Sequence, residues 1–427
     1  MDKLSHIGNN IVGSEIIKIS QHIKQVQQTK PVLNLTMGDF DSKVNPIPVA
    51  LRDYIMDAYL NNLTNYPLSA GELNLRQSVK HYFYHRRGIE YSDNEILIGC
   101  GVRPLIYTVF KALVDEGDTV IYPVPSWNNN HYSFLHNADL EPIECTPDNA
   151  FFPTVEDIKS RLYVTARLVC LCSPQNPTGR IIDKDVLKGI CDAIVEENNN
   201  RKVNPELRPC YLFFDQIYSD LVGDEFTHPL DVCPEIREYL ICADGVSKSL
   251  CATGVRVGWL MGPQDIIGKM TEVFSHIGAW AAKPEQNAVA WYLNDKEDIG
   301  KFIQEKQFQY AFISSKIIDL FNEMKTDGFK VDCQNSDGGI YISVYLDYVY
   351  NFPTTEDYID FLILECGLGI VPFEYFGSKE NKGWFRISIG SIDSLHIDRV
   401  LLVIEEAIVK SSNKDLEERN QVRTFTI

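Results

Sequence analysis

The sequence predicts an α/β fold: a mainly parallel sheet covered on both faces by helices, with a smaller α+β unit behind it. Three observations carry this. Short apolar runs of strand length alternate with helical patterns from residue 95 to 261, and such alternation builds parallel sheets through crossover helices. After about residue 285 the pattern changes to one long helical segment followed by shorter α and β runs. The length of 427 residues, 44% hydrophobic and 23% charged, fits an ordinary globular protein with one large α/β unit and an appendage.

In chain order, Val12, Ile16, Ile17, Ile19, Ile23 and Val26 have the spacing of an amphipathic first helix, which Pro31 ends. Val32–Leu35 reads as a short strand, Met37–Asp41 as a turn, and Val49–Leu60 and Leu73–Tyr84 as helices around the loop Tyr66–Gly71. Strands are expected at Glu95–Ile98, Thr119–Tyr122, Leu140–Ile143, Leu168–Cys172, Tyr211–Phe214, Leu240–Cys242 and Val257–Met261, with helices at Leu105–Leu113 and Val186–Glu197. The polar, Asn-rich stretch Glu196–Pro209 reads as a surface insertion. The second unit opens with a helix over Asp298–Met324 and continues through Ile340–Val344, Glu356–Leu364, Ile370–Val371, Trp384–Ile389 and Leu395–Val409; the polar tail from Ser411 reads as loosely held. The expected division is 1–47, an N-terminal segment packing with the small unit, 48–290, the large unit, and 291–427, the small one.

Net charge is −19 and the eleven cysteines lack paired metal-ligand spacing. An acidic chain disfavours nucleic acid and anionic membranes as partners, and no metal site is expected. Scattered free thiols, with neither a signal-peptide core nor a transmembrane span, point to the cytoplasm.

The unusual residues fall at the ends of the predicted strands, where open α/β sheets bind ligands. Gly99-Cys100-Gly101-Val102-Arg103 follows one strand and opens a helix, so its N–H groups suit a phosphate. Trp127 follows the next strand. Ser173-Pro174-Gln175-Asn176-Pro177-Thr178-Gly179 is a stiff turn presenting the Asn176 amide. Asp215 ends an apolar run, where an ionised carboxylate is costly without a cation against it; an N-cap is the competing role. Lys248 sits among small and hydroxyl residues in Gly245-Val246-Ser247-Lys248-Ser249, with Arg256 beyond it. A partly buried lysine of this kind favours a neutral, nucleophilic amine.

A flat heteroaromatic bearing a ring nitrogen, a phosphate and an aldehyde answers all of these. Pyridoxal phosphate has an aldehyde for Lys248, a ring nitrogen for Asp215, a phosphate for Gly101, Val102, Arg103 and Arg256, a ring face for Trp127, and a phenolic oxygen for Tyr218 and Asn176. A carboxylate against the nitrogen keeps the ring an electron sink.

The motifs SPQNPTG, DQIYSDL and SKSLCATGVRVGW resemble those of the class I/II, fold-type I aminotransferases of the aspartate or aromatic group, over about Leu33 to Ile389. The resemblance implies a three-layer PLP-dependent transferase-like large domain and a homodimer with sites at the subunit boundary. It implies transfer of an amino group between an amino acid and a 2-oxo acid by a ping-pong route, with Lys248 as Schiff-base lysine and proton shuttle and Asp215 and Tyr218 completing the catalytic set. It adds Ser247 to the cofactor's contacts and Tyr66 to the neighbouring subunit's phosphate. Gly38, Trp127, Asn176 and Arg386 would surround the substrate, Arg386 gripping its α-carboxylate. A C–S lyase or other lyase on the same scaffold is the alternative.

Three positions depart from the pattern: Gly245 stands where some members place a phosphate-binding Ser, Val102 where some aspartate-specific ones place Lys, and Phe373 where many have Gly. Trp127, Trp280, Phe373, Tyr375 and Phe376 suggest an aromatic mouth favouring a neutral or aromatic donor, with Arg103 or Lys283 as partners for an acidic one.

Overall fold

The computed structural model describes residues 4–223, 225–348 and 352–424, with side chains described as far as Ser412. Its strands are β1 (Leu33–Asn34), β2 (Ile96–Gly99), β3 (Thr119–Val124), β4 (Asp139–Glu144), β5 (Ala166–Cys172), β6 (Tyr211–Asp215), β7 (Leu240–Gly245), β8 (Gly258–Met261), β9 (Val331–Cys333), β10 (Tyr341–Leu346), β11 (Leu368–Gly369), β12 (Val371–Pro372) and β13 (Trp384–Ser388). Seven of them form the large sheet, in the order β2-β8-β7-β6-β5-β3-β4. All its pairings are parallel except those of β8, which runs antiparallel to both β7 and β2. The chain leaves β7 through the short helix Val246–Ser249 and returns alongside it without a crossover helix, which antiparallel pairing permits. Helices such as Val102–Leu113 and Lys184–Arg201 provide the crossovers.

Because β2, β3, β5, β6 and β7 run the same way, the residues after Gly99, Val124, Cys172, Asp215 and Gly245 gather along one edge of the sheet. The main core holds the strand residues Ile98, Ile121, Val169, Phe214 and Ile241, packed under helix residues such as Leu105, Val109, Leu187 and Ile190. A second core sits between the antiparallel sheet β12-β13-β10-β9, the long helix Lys296–Thr326 and the C-terminal helix Ile397–Thr424. A third joins Ile19 and Ile23 of the helix Glu15–Val26 to Ile359 and Ile363. Burying each of those isoleucines contributes about 1.5–3 kcal/mol, and β1 adds a parallel pairing with β11. The N-terminal segment is thereby fastened to the C-terminal unit, while Val12 and Ile17 remain exposed.

Several expectations change. Glu196–Pro209 is only in part the surface insertion expected: residues 202–206 are exposed, but the helix runs on to Arg201, and Asn198 is buried, exchanging both amide hydrogen bonds with the Cys210 backbone at 2.8 and 2.7 Å. Buried Arg201 donates to the carbonyls of Ala166, Arg208 and Tyr163. Polarity misleads at these two residues because each has partners that permit burial. Ser411 is also held, donating to Ala407 O at 2.7 Å inside the C-terminal helix; the side chains of the tail beyond Ser412 lie outside the described residues. Position 290 falls inside the helix Lys283–Leu293, and Ile299 and Ile303 still pack in the main core. No helix among the described residues is long and apolar enough to cross a membrane.

Candidate active site

A cavity of about 750 Å³ opens at that edge of the large sheet, lined by residues of the strand ends, by Tyr341 and Arg386, and by the N-terminal segment. Lys248 reaches it because β7 and β8 approach closely just before the lysine helix: a Cβ on Gly245 would lie 2.8 Å from Gly258 Cα and 2.9 Å from Val257 O. Glycine rather than serine at 245 is therefore a packing requirement. Lys248 Nζ donates to Gly38 O at 2.5 Å and lies 5.6 and 5.8 Å from the ring centroids of Phe40 and Tyr218. Burial pushes its ammonium down to about 8; the Asp39 carboxylate resists, while Arg386 and Arg103 push the same way as burial.

Asp215, the last residue of β6, is raised to about 6 by burial, against the opposing pull of the Ile217 N–H and of Lys248. Its side chain accepts the Ile217 N–H at 3.1 Å, so the local capping role is real. Among the described residues, however, it makes no ion pair, and it lines the cavity. Tyr218 shares a hydrogen bond of 2.8 Å with Tyr341, whose hydroxyl would stand 2.2 Å from any Cβ at position 38. Gly38 is small because Tyr341 fills the space beside it.

Arg386 is 2% exposed and packs over the rings of Tyr341 and Phe376, 4.6 and 4.9 Å from their centroids. It donates through Nη1 to Asn176 Oδ1 at 2.9 Å and through Nη2 to Thr36 O, while its Nε is buried without a hydrogen-bond partner. A buried guanidinium N–H left unpaired is costly, and a carboxylate entering the cavity is the natural acceptor.

At the turn after β2, Gly101 has φ 82°, and a Cβ there would lie 2.2 Å from Arg256 Nη2. The glycine lets Arg256 lie across the turn, where it donates to Thr253 O and Cys100 O at 2.8 and 3.0 Å, beside the N-terminus of the helix Val102–Leu113. Backbone N–H groups and a fixed cation together make an anion site. Val102, Arg103, Trp127, Ser247 and Arg256 line the cavity, and the Arg103 guanidinium lies 4.5 Å from the Trp127 ring centroid. Arg103 makes no ion pair or hydrogen bond among the described residues.

Of the residues singled out from sequence, Gly38, Val102, Arg103, Trp127, Asn176, Asp215, Tyr218, Ser247, Lys248, Arg256 and Arg386 meet in this one cavity. Gly101 is buried behind Arg256, and Tyr66 lies outside its own chain's cavity, 85% exposed with its edge against Trp280. The aromatic mouth is corrected: Trp280, Phe373, Tyr375 and Phe376 are not among the lining residues, and Phe373 packs inward against Phe151 and Trp384. Lys283 is also elsewhere, tied to Asn65 at 3.1 Å and Glu72 at 3.9 Å.

The sequence reading missed Tyr341, Asp39 and the apolar wall of Ile11, Val12, Ile16 and Ile17. Asp39 was signalled by its place after Gly38; its carboxylate accepts from Thr253 Oγ1 at 2.6 Å. Val12, Ile16 and Ile17 carried only a helix-like spacing, which does not distinguish a packed face from a cavity lining.

Unpaired Asp215, the depressed Lys248 amine, the anion turn and the free Arg386 Nε match, in order, a ring nitrogen, an aldehyde, a phosphate and a substrate carboxylate. The residues present therefore fit pyridoxal phosphate with an amino acid beside it.

Comparison with known proteins agrees. The sequence profile of the family "Aminotransferase class I and II" matches residues 30–404. The aspartate aminotransferase of Bacillus sp. (strain YM-2) is 27% identical over 407 residues, covering 92% of this chain and 94% of that one. That of Geobacillus stearothermophilus is 26% identical, covering 92% and 96%. In fold, the chain resembles the crystal structure of the aspartate aminotransferase from Rhizobium meliloti, with TM-score 0.84, 23% identity, and coverage of 96% and 99%. It also resembles the aromatic aminotransferase of Pyrococcus horikoshii OT3, with TM-score 0.78, 22% identity, and coverage of 93% and 99%. The chain belongs to the class I and II aminotransferases and is a pyridoxal phosphate-dependent enzyme acting on amino acid and 2-oxo acid substrates.

Proposed function

We propose that Lys248 is the cofactor-bearing lysine and proton carrier of a ping-pong aminotransferase in which amino donor and 2-oxo acid visit one pocket in turn. The observation that carries this is the convergence of depressed Lys248, unpaired Asp215 and the free N–H of Arg386 on a single cavity. Asp215 would face the ring nitrogen, Trp127 the ring, Tyr218 and Asn176 the phenolic oxygen, and the turn Gly101–Arg103 with Ser247 and Arg256 the phosphate. When bound, pyridoxal phosphate supplies an aldehyde carbon and an electron-withdrawing ring. Arg386 fixes the substrate α-carboxylate through its planar fork, which orients the α-carbon. Neutral Lys248 Nζ then takes the α-proton as general base and returns a proton as general acid. The side chains of Ile11, Val12, Ile16 and Ile17 give the cavity an apolar wall.

The donor is read as an amino acid with a neutral, apolar side chain, because the wall Ile11, Val12, Ile16 and Ile17 is apolar. A second reading, an acidic side chain, is favoured by Arg103, a cavity cation that makes neither ion pair nor hydrogen bond among the described residues, and by relatives named as aspartate aminotransferases. The ratio of kcat/KM for aspartate against methionine, phenylalanine and alanine decides. A preference for aspartate of about tenfold, or about 1.4 kcal/mol, overturns the apolar reading. Oxo-acid-dependent amino transfer, rather than release of pyruvate and ammonia, excludes the lyase alternative.

The enzyme is further read as a cytoplasmic homodimer, with exposed Tyr66 reaching the partner's phosphate. Its division into an N-terminal segment, a large unit and a small unit is kept, with the last boundary beyond Ile303.

A further inference from the structure

Behind the cavity, on the side away from substrate, two buried side chains join the ends of the strands that carry Asp215 and Lys248. Gln216 is 0% and Asp244 5% exposed. Gln216 Nε2 donates to Asp244 Oδ2 at 3.0 Å, and Asp244 Oδ1 accepts the Gly245 N–H at 2.7 Å. The β6–β7 ladder ends at Asp215 opposite Ala243. Beyond it only the Gln216 N–H to Ala243 O, at 3.0 Å, continues the backbone pairing. The side-chain bond is thus the last tie before the two chains diverge, one residue past Asp215 and four before Lys248.

The pair sits in a polar seam shared with Asp220, which accepts from Tyr82 Oη at 2.7 Å and Arg86 Nε at 3.2 Å and faces Arg87 Nη2 at 3.9 Å. Gln307, on the long helix, donates to the carbonyls of Asp220 and Val222. Asp220 has cations on two sides; Asp244 makes no ion pair among the described residues, and burial and the Asp220 charge press it towards the neutral form against its two hydrogen bonds and the Arg87 charge. Gln216 Oε1 is buried without a partner. Two buried polar groups held in an incompletely satisfied arrangement cost stability, and apolar residues would fill the same space more cheaply.

We propose that the Asp244–Gln216 hydrogen bond is a positioning bracket that sets the Lys248 amine relative to the Asp215 carboxylate, and that its loss impairs catalysis rather than folding. This rests on the reading of Lys248 and Asp215 given above. The two residues touch neither substrate nor cofactor and act through the loops that follow them.

The test is a double-mutant cycle with an exchange of donor and acceptor, on the cofactor-loaded enzyme. Asp244→Ala and Gln216→Ala break the bond. Asp244→Asn with Gln216→Glu rebuilds it in the opposite sense, with the new amide donating and the new carboxylate accepting. Readouts are kcat, KM, the pH midpoint of the bound cofactor's absorbance, and the thermal midpoint. Each alanine variant is expected to lose about tenfold in kcat with KM changed less than about threefold, and the double variant to lose no more than either alone. The absorbance midpoint should shift in both alanine variants, and the exchanged pair should recover kcat to within about threefold and the midpoint with it. Additive losses, or an exchanged pair that keeps the wild-type thermal midpoint without recovering kcat and the absorbance midpoint, would overturn the bracket. If either alanine variant fails to fold, Asp244→Leu or Gln216→Met, which fill the space without a polar group, takes its place, with the same criteria on kcat and midpoint. Borohydride labelling of a lysine other than Lys248 in the wild-type enzyme would strike at the underlying reading, not at the bond.

Discussion

Asp215→Asn separates what the carboxylate contributes to stability from what it contributes to catalysis. In the cofactor-free protein this carboxylate is buried with one N–H donor and no ion pair among the described residues, and it is held at about 6 against an ordinary 3.8. At 1.36 kcal/mol per pH unit, ionising it in the fold at neutral pH costs about 3 kcal/mol. The sign follows from proton binding. Between pH 3.8 and about 6 the folded state holds more protons than the unfolded one, so wild-type stability falls as pH rises through that window. Asparagine keeps an acceptor for the Ile217 N–H and removes the charge. The cofactor-free variant should therefore match wild type below pH 4 and exceed it above pH 6 by up to about 3 kcal/mol, a rise of a few degrees in thermal midpoint. The loaded variant should lose orders of magnitude in kcat, because a neutral amide cannot hold the ring nitrogen protonated. The assay is thermal unfolding of both proteins, freed of cofactor, at pH 4 and pH 7.5, beside steady-state transamination. Equal midpoints at pH 7.5, or a loaded variant that transaminates at the wild-type rate, would refute the reasoning and leave Asp215 a turn cap.

The remaining predictions concern the other charges of the cavity. Arg386→Lys removes the fork and strips a donor from Asn176 Oδ1 or Thr36 O, so kcat/KM should fall about 100-fold for every donor alike; a loss confined to acidic donors would assign Arg386 to the side-chain pocket. With its ammonium at about 8, Lys248 is about one-tenth neutral at pH 7, against about one part in three thousand for an ordinary lysine. The rate of cofactor uptake by the cofactor-free protein should rise about tenfold per pH unit and level off above pH 8; a rise that continues past pH 9 would mean that burial does not depress the amine.

Much of this was legible because strands of a parallel sheet end on one edge, and chemistry-bearing residues just after an apolar run must meet there. Lys248, Asp215, Asn176 and the turn at Gly101 all follow that logic, and eleven of the residues chosen from sequence line one cavity. What the sequence hid was long-range. Tyr341, which was missed, enters from a second sheet, where β10 pairs with β13 and places Ser343 opposite Arg386; Arg386, on that same sheet, was named only through the resemblance of its motif. Val12 and Ile17 looked like the apolar face of a helix, and only the fastening of Ile19 and Ile23 to Ile359 and Ile363 shows which side faces the cavity. Phe373 failed for the converse reason: its nearness in sequence to the end of β12 suggested the mouth, but its ring turns into the core against Phe151. Asn198 and Arg201 were misjudged because polarity alone does not report burial when each donor has a fixed acceptor.

The central claim is that Lys248 carries the cofactor. The most direct test is to reduce the loaded enzyme with borohydride, digest it, and locate the pyridoxyl group by mass spectrometry. One labelled peptide is expected, modified at Lys248, with no label in a Lys248→Ala protein that still binds pyridoxal phosphate. A stoichiometric label on any other lysine, with Lys248 unmodified, would contradict it.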